Sequence, residues 1–400
     1  MIRANPKQLK VSIIVSDLSS SGAGRWGGGV RPFLLAQALK KLNCQVEILG
    51  VAYEEKISAL SIQDIPIFSV TCGYHSGFLK AAQKIIQRIN GDIIYAVKLK
   101  PSSFGIALIK KFLRRKKLIL DIDDWETSWF GGDQWHYRPN LKTLAIDILS
   151  AEGALRHPDH PLYLKWMENL VSYADIVTTH NQFLQKRFGG TLIPNGKDTE
   201  LFNPNLYDQS TSKAKYGLSD YQILMFPGAP RPYKGLEDIL QALDILNEAK
   251  FKLVIVGGSP YDDYDQKLRQ RWGRWIIQLP KQPVQQMPEI IAAADLIVVP
   301  QKNTTAAKAQ FPLKLTDGMS MAKPILATRV GDIPNIVAHT AYLVEPDSPP
   351  QLAQGIKNIF ADYETAYQKA QLARARCVSH YSIDAMADSL SRIIKNLYKQ

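Results

Sequence analysis

The stretch Phe311–Thr328 concentrates residue types that bind a phosphorylated sugar. It reads as a buried helix, a turn and a buried strand. Phe311, Leu313, Leu315, Met319 and Met321 supply apolar surface, and Lys323-Pro324 ends the helix ahead of a strand over 324–328. Lys314 and Asp317 stand three apart, on one helical face. A helix start that offers a cation and a carboxylate to a cleft suits a ligand carrying both phosphate and sugar hydroxyls. A glycine-rich run, Gly22-Ala-Gly-Arg-Trp-Gly27 extended by Gly28 and Gly29, fits Gly-x-Gly-x-x-Gly, with Glu47 twenty residues on. The strand before it ends near Asp17, too early for the tight turn of a dinucleotide site. The preferred reading is a loop whose backbone amides approach a diphosphate; a dehydrogenase fingerprint and a merely flexible loop are the alternatives. Leu118–Glu126 reads as a strand that ends in carboxylates, among them Asp123 and Asp124.

Apolar strand runs alternate with amphipathic stretches through nearly the whole chain. Val11–Val15, Val46–Leu49, Ile65–Val70, Ile93–Val97, Leu118–Ile122 and Ile176–Thr179 form one set. Gln222–Phe226, Lys252–Val256, Leu296–Val299, Pro324–Thr328 and Ala341–Val344 form a second. Alternation of this kind implies parallel sheets covered by helices, so the expectation is α/β with two doubly wound, Rossmann-like domains. The first domain is placed at 1–200 and the second at 205–380, with a linker rich in turn formers at about 195–210. Residues 382–400 read as a strongly amphipathic helix with no strand after it, which could pack back on the first domain. Residues 125–168, with Trp125, Trp129, Trp135 and Trp166, read as an irregular insertion. It is either an aromatic acceptor pocket or a loop anchored by its own tryptophans.

A chain of 400 residues is too long for a single core. No apolar run approaches the ~20 residues that span a bilayer, and the N-terminus lacks a secretory apolar stretch. Cys44, Cys72 and Cys377 lack metal-like spacing, as do the seven histidines. The expectation is therefore a cytoplasmic protein with reduced thiols and no metal. The net charge is +12, with basic residues clustered at Lys110–Lys117 around Phe112 and Leu113. A solvated face, an anionic membrane surface and nucleic acid are the competing readings. The interleaved apolar residues favour the inner face of a membrane over nucleic acid.

Five ordered segments, over roughly 11–380, resemble glycosyltransferase family 4. Phe311–Thr328 is similar to the family's donor-binding segment, with Asp317 where that pattern has its second Glu and Ala309 where it has its first. Phe226-Pro-Gly-Ala-Pro-Arg-Pro-Tyr-Lys-Gly235 is similar to its Gly-Arg-x-x-x-x-Lys-Gly: Gly228, Lys234 and Gly235 match, the Arg position is Ala229, and Arg231 lies two residues on. Ile193-Pro-Asn-Gly-Lys-Asp resembles Ile-Pro-Asn-Gly-Val-Asp and is read as a structural turn. Val254-Ile-Val-Gly-Gly-Ser-Pro260 is similar to the strand-to-turn at the nucleobase pocket, and the Phe33–Leu39 helix and following strand to the family's opening.

The resemblance implies a GT-B fold, its two domains facing a central cleft, and retaining, metal-independent hexosyl transfer in polysaccharide biosynthesis. The donor would be a UDP- or GDP-sugar acting as substrate, with no cofactor, and the acceptor a glycan or lipid-linked hydroxyl. Lys234 and Arg231 would grip the diphosphate and Asp317 the ribose. Gly28, Gly29, Gly228, Gly257 and Gly258 would allow close backbone approach. Lys314 and the amides near Phe311 and Leu313 would contact phosphate or sugar. Asp123 or Asp124 would polarise the acceptor hydroxyl; capping or solvation of the loop is their alternative use. Ala309 opens a second reading, a degenerate GT-B protein that binds without transfer. A sugar-nucleotide epimerase, lacking a clear Glu/His pair, is a third.

Overall fold

The computed structural model describes residues 8–22, 30–53, 65–259 and 262–398. The chain forms two compact units: residues up to Pro194 together with those from Met386 onward, and Asn195–Ala385.

The first unit carries strands β1 (Lys10–Val15), β2 (Gln45–Ala52), β3 (Ile67–Thr71), β4 (Ile93–Val97), β5 (Lys117–Ile122), β6 (Ile176–Thr179) and β7 (Thr191–Leu192). Its helices are α1 (Arg31–Lys41), α2 (Phe78–Arg88), α3 (Ile106–Arg114), α4 (Leu141–Leu149), α5 (Pro161–Glu168) and α6 (Gln182–Phe188). The sheet order is β3-β2-β1-β4-β5-β6-β7, with every pair parallel. β1 and β4 are buried along nearly their whole length, which is why they read as continuous apolar runs rather than alternating ones.

The second unit has β8 (Gln222–Phe226), β9 (Phe251–Val256), β10 (Ile276–Leu279), β11 (Leu296–Val299), β12 (Ile325–Thr328) and β13 (Tyr342–Val344). Its helices are α7 (Gln209–Lys215), α8 (Leu236–Leu246), α9 (Tyr264–Trp272), α10 (Met287–Ala292), α11 (Thr305–Lys308), α12 (Leu313–Ser320), α13 (Ile333–Val337), α14 (Pro349–Ala361) and α15 (Tyr363–Tyr381). The last helix, α16 (Ile383–Leu397), begins in this unit and from Met386 belongs to the first. The parallel sheet runs β10-β9-β8-β11-β12-β13. Its order reverses between β8 and β11, so the loops after those two strands border the crevice where such sheets take ligands.

Two features depart from the sequence expectation. Residues 125–168 are not an irregular loop: they hold three single-turn helices with α4 and α5. α4 escapes periodicity because none of its residues is buried, so no inner face contrasts with an outer one. The helix after Phe311 starts only at Leu313, with Pro312 as its N-cap and Phe311 packed in the core beside Tyr381.

Candidate functional site

In the second unit, β8 delivers the chain into the 227–235 turn. Gly235 sits in the left-handed region at φ 69°, and a Cβ there would fall 1.8 Å from the Pro300 carbonyl oxygen; only glycine closes this turn. The turn seats Lys234, whose Nζ donates to the Ala229 carbonyl at 2.9 Å. From the other side, α12 sends Lys314 over the Phe226 ring, its Nζ 4.6 Å from the centroid. A Cβ on Gly228, itself at φ 141°, would lie 3.3 Å from the Lys314 Nζ. Three predicted residues, Gly228, Lys234 and Lys314, therefore form one cluster.

Its electrostatics are unusual. Lys234 is held well below the ordinary lysine value by burial first, then by repulsion from Lys314 and Arg231. Lys314 is lowered by burial, with Asp317 pulling the other way. Among the described residues neither lysine is ion-paired to a carboxylate. Two half-buried ammonium groups with a third cation nearby are costly unless an anion completes the site. Arg231 thus contributes charge here although it stands two places from the position the resemblance gives to Arg.

Asp317 is buried and forms an ion pair with Lys197. Sequence reasoning missed that partner, having treated 193–198 as a structural turn. Its backbone is pinned, the amide donating to the Tyr381 carbonyl at 2.6 Å and the carbonyl accepting from Ile383 at 3.0 Å. Its Nζ also lies 3.5 Å from the Phe202 ring centroid. The one signal was a Lys where the resembled pattern has Val.

The helix-start amides need correction. Pro312 has no N–H, and the Leu313 N–H is spent on the Phe311 carbonyl at 3.0 Å, so neither Pro312 nor Leu313 offers a ligand an unengaged backbone donor. Ala309 is wholly buried, and the neighbouring Gln310 accepts the Tyr233 hydroxyl at 3.0 Å. Gly257, at φ 94°, and Gly258 follow β9. A Cβ on Gly258 would approach the Asp265 carboxylate to 2.9 Å, so its smallness serves internal packing. Gly28 and Gly29 lie outside the described residues.

In the first unit, Asp123 and Asp124 leave the C-terminal end of β5, where the parallel β4 delivers Lys98. Lys98 approaches Asp123 to 3.4 Å and Glu126 to 2.7 Å, and Lys100 approaches Glu126 to 3.3 Å. Burial raises Glu126, but Lys100 and Lys98 outweigh it and hold the carboxyl down at about 2. Asp124 goes the other way. Burial, with repulsion from Glu126 and Asp123 overcoming Lys98, pushes it up to about 7. Its Oδ2 accepts the Trp129 indole N–H at 3.0 Å, and its Oδ1 is buried without a hydrogen-bond partner. Asp123 is also raised, by burial. One permanently charged and one near-neutral carboxyl side by side can divide ionic and proton-transfer work. The strand end is held by Arg31, which grips Asp121 through two 2.8 Å bonds while also donating to the Ile193 carbonyl. His180 is buried, and Asn181 caps α6. Among the described residues no group of His, Cys, Asp and Glu could hold a metal ion.

Residues 221–362 match the family model of glycosyl transferases group 1. The chain is 22% identical over 421 residues to the D-inositol 3-phosphate glycosyltransferase of Corynebacterium glutamicum, spanning 95% of each. It is 25% identical over 298 residues to the N-acetyl-alpha-D-glucosaminyl L-malate synthase of Bacillus anthracis, spanning 73% of this chain and 71% of that one. Anabaena HepE, solved in complex with UDP and glucose, has a TM-score of 0.74 at 17% identity, covering 97% of this chain and 100% of its own. That likeness establishes the fold, GT-B, and the family match spans β8 through α14, the elements that carry the lysine cluster. The chain has the GT-B fold, and its residues 221–362 match the glycosyl transferases group 1 family.

Proposed function

We propose that this glycosyltransferase moves a hexosyl residue from a UDP- or GDP-sugar to a hydroxyl of a glycan or lipid-linked acceptor in cytoplasmic polysaccharide synthesis. The supporting observation is the Lys234–Lys314 pair: partly buried, close enough for Lys314 to depress Lys234, and, among the described residues, without an ion-paired carboxylate. A diphosphate would relieve that repulsion, and as a leaving group it gains charge while the glycosidic bond breaks, so fixed cations stabilise the transition state more than the ground state. Arg231 adds to the same field. Asp317, oriented by Lys197, takes the ribose hydroxyls. Asp124 accepts the acceptor's proton, Glu126 stays ionic between Lys98 and Lys100, and Asp123 shares Lys98 beside them. Transfer is read as retaining and independent of metal. The complex of Anabaena HepE with UDP-glucose supports a nucleotide-sugar donor.

A panel of UDP- and GDP-sugars tests this by thermal shift and by release of nucleotide, with EDTA present. One donor should both stabilise the protein and turn over. Binding that requires a divalent metal would overturn the metal-independent reading. Stabilisation without turnover under any acceptor would favour the degenerate binder, the reading that the buried Ala309 and the engaged Gln310 support.

A further inference from the structure

α2 and α3, with Arg115–Lys117, contain nine Lys and Arg residues and no Asp or Glu. The two helices pack side by side, tied by the Lys110 Nζ to the Ile86 carbonyl at 2.7 Å. This corrects the basic cluster read from sequence: Lys110 is buried, and Lys111 is ion-paired with Asp175 at 2.9 Å. The charges that do face outward are Lys80, Lys84 and Arg88 on α2 and Arg114 and Arg115 at the end of α3. α3 buries Ile106, Ala107 and Leu108 inward, yet Ile109, Phe112 and Leu113 form a second apolar stripe at i, i+3, i+4 on its outer face. Phe112 is 62% exposed and Leu113 66% exposed, and the Phe112 ring meets the half-exposed Tyr173 edge-on at 5.8 Å.

We infer that the outer face of α2 and α3 is a docking surface for an anionic phospholipid bilayer. An apolar stripe in a field of uncompensated positive charge matches the boundary between headgroups and acyl chains. The side chains enter the apolar side while the cations remain among the phosphates. Nucleic acid would reward the charges but leave Leu113 and Ile109 without a counterpart. Among the described residues no helix is long and apolar enough to cross a membrane, so contact through this face would be peripheral.

The full chain should co-sediment with vesicles of equal parts phosphatidylcholine and phosphatidylglycerol, and not with phosphatidylcholine alone. Added salt should release it. Each basic side chain at such a surface contributes roughly a fivefold factor, so R88Q/R114Q/R115Q should weaken binding about a hundredfold. F112A/L113A should weaken it by at least about tenfold. Unchanged melting and an unchanged nucleotide-induced shift establish that both variants remain folded. They also report on the donor site separately, so failure of the transferase reading and failure of this one are distinguishable. Equal binding to neutral vesicles, no binding, or tighter binding to duplex DNA would overturn the inference. So would loss of binding only when the exposed Leu141 and Leu149 of α4 are replaced by Asp.

Discussion

Two residues carry most of the proposed chemistry, and each does so because burial holds it away from its ordinary charge state. Lys234 is pushed well below 10.5 by burial and by two neighbouring cations. A diphosphate reverses that shift, so binding takes up protons. Affinity for UDP should be level while the lysine is charged in the free protein and fall as pH rises through its lowered value, well before 10.5; titration calorimetry in buffers of different ionisation heat would detect the uptake. Lys234→Ala should reduce turnover at least about tenfold, and up to ~10³-fold, in a protein that still melts cooperatively. Wild-type turnover would remove Lys234 from the mechanism. Asp124 is raised from 3.8 to about 7, so a base at this position works only above that value, and kcat/KM should climb as pH rises through it. The same shift sets stability. The folded chain holds this proton more tightly than the unfolded chain, so the contribution is full below 3.8 and lost as pH rises through about 7. Asp124→Asn should therefore cost ~10²-fold or more in kcat while raising the melting temperature above pH 7 relative to wild type. A variant no more stable than wild type there would show that the carboxyl is not strained.

At the level of elements, most strands were legible because parallel sheets bury both faces and leave long apolar runs. β7 and β10 were missed. β7 has two residues and β10 is only partly buried, so neither carries a run that stands out. The lysine cluster at α8 and α12 was legible from Gly235 and the Lys314–Asp317 spacing, since both signals are local. The Lys197–Asp317 pair was not, because it joins residues 120 apart in sequence. That pair ties the 195–204 turn to α12 and makes its own prediction. Removing one member of a buried ion pair strands the other charge, at a cost of about 3 kcal/mol. Lys197→Met should lower stability by about that amount, and adding Asp317→Asn should restore most of it, because no unpaired carboxylate remains. Donor KM should stay elevated in the double variant, which has lost the carboxylate meant for ribose. If Lys197→Met melts like wild type, the pair does not hold α12 in place.

For the molecule as a whole, the chain path makes a separable demand on each unit. The lysine cluster, Lys197, Asp317 and the segment matched by the family model all lie within Asn195–Ala385. α16 starts in that unit, but from Met386 onward its residues belong to the first, where Met386, Leu390, Ile393 and Leu397 are buried. Each such side chain contributes roughly 1.5–3 kcal/mol of burial, a large share of the stability of a domain of this size. Ending the chain after Ala385 should therefore unfold or markedly loosen the first unit while the second still binds UDP. Calorimetry should show the change directly. The full chain has two units, so its melting is not bound to be a single transition. Only the transition belonging to the second unit should rise with UDP, by an amount set by concentration over Kd. In the truncated chain the UDP-responsive transition should survive near its original temperature and the other should fall or vanish. Transfer should be lost, because Asp123 and Asp124 depend on the first unit. Loss of UDP binding on truncation would mean that the donor site does not reside in the second unit alone, and would move the proposed division of labour away from that boundary.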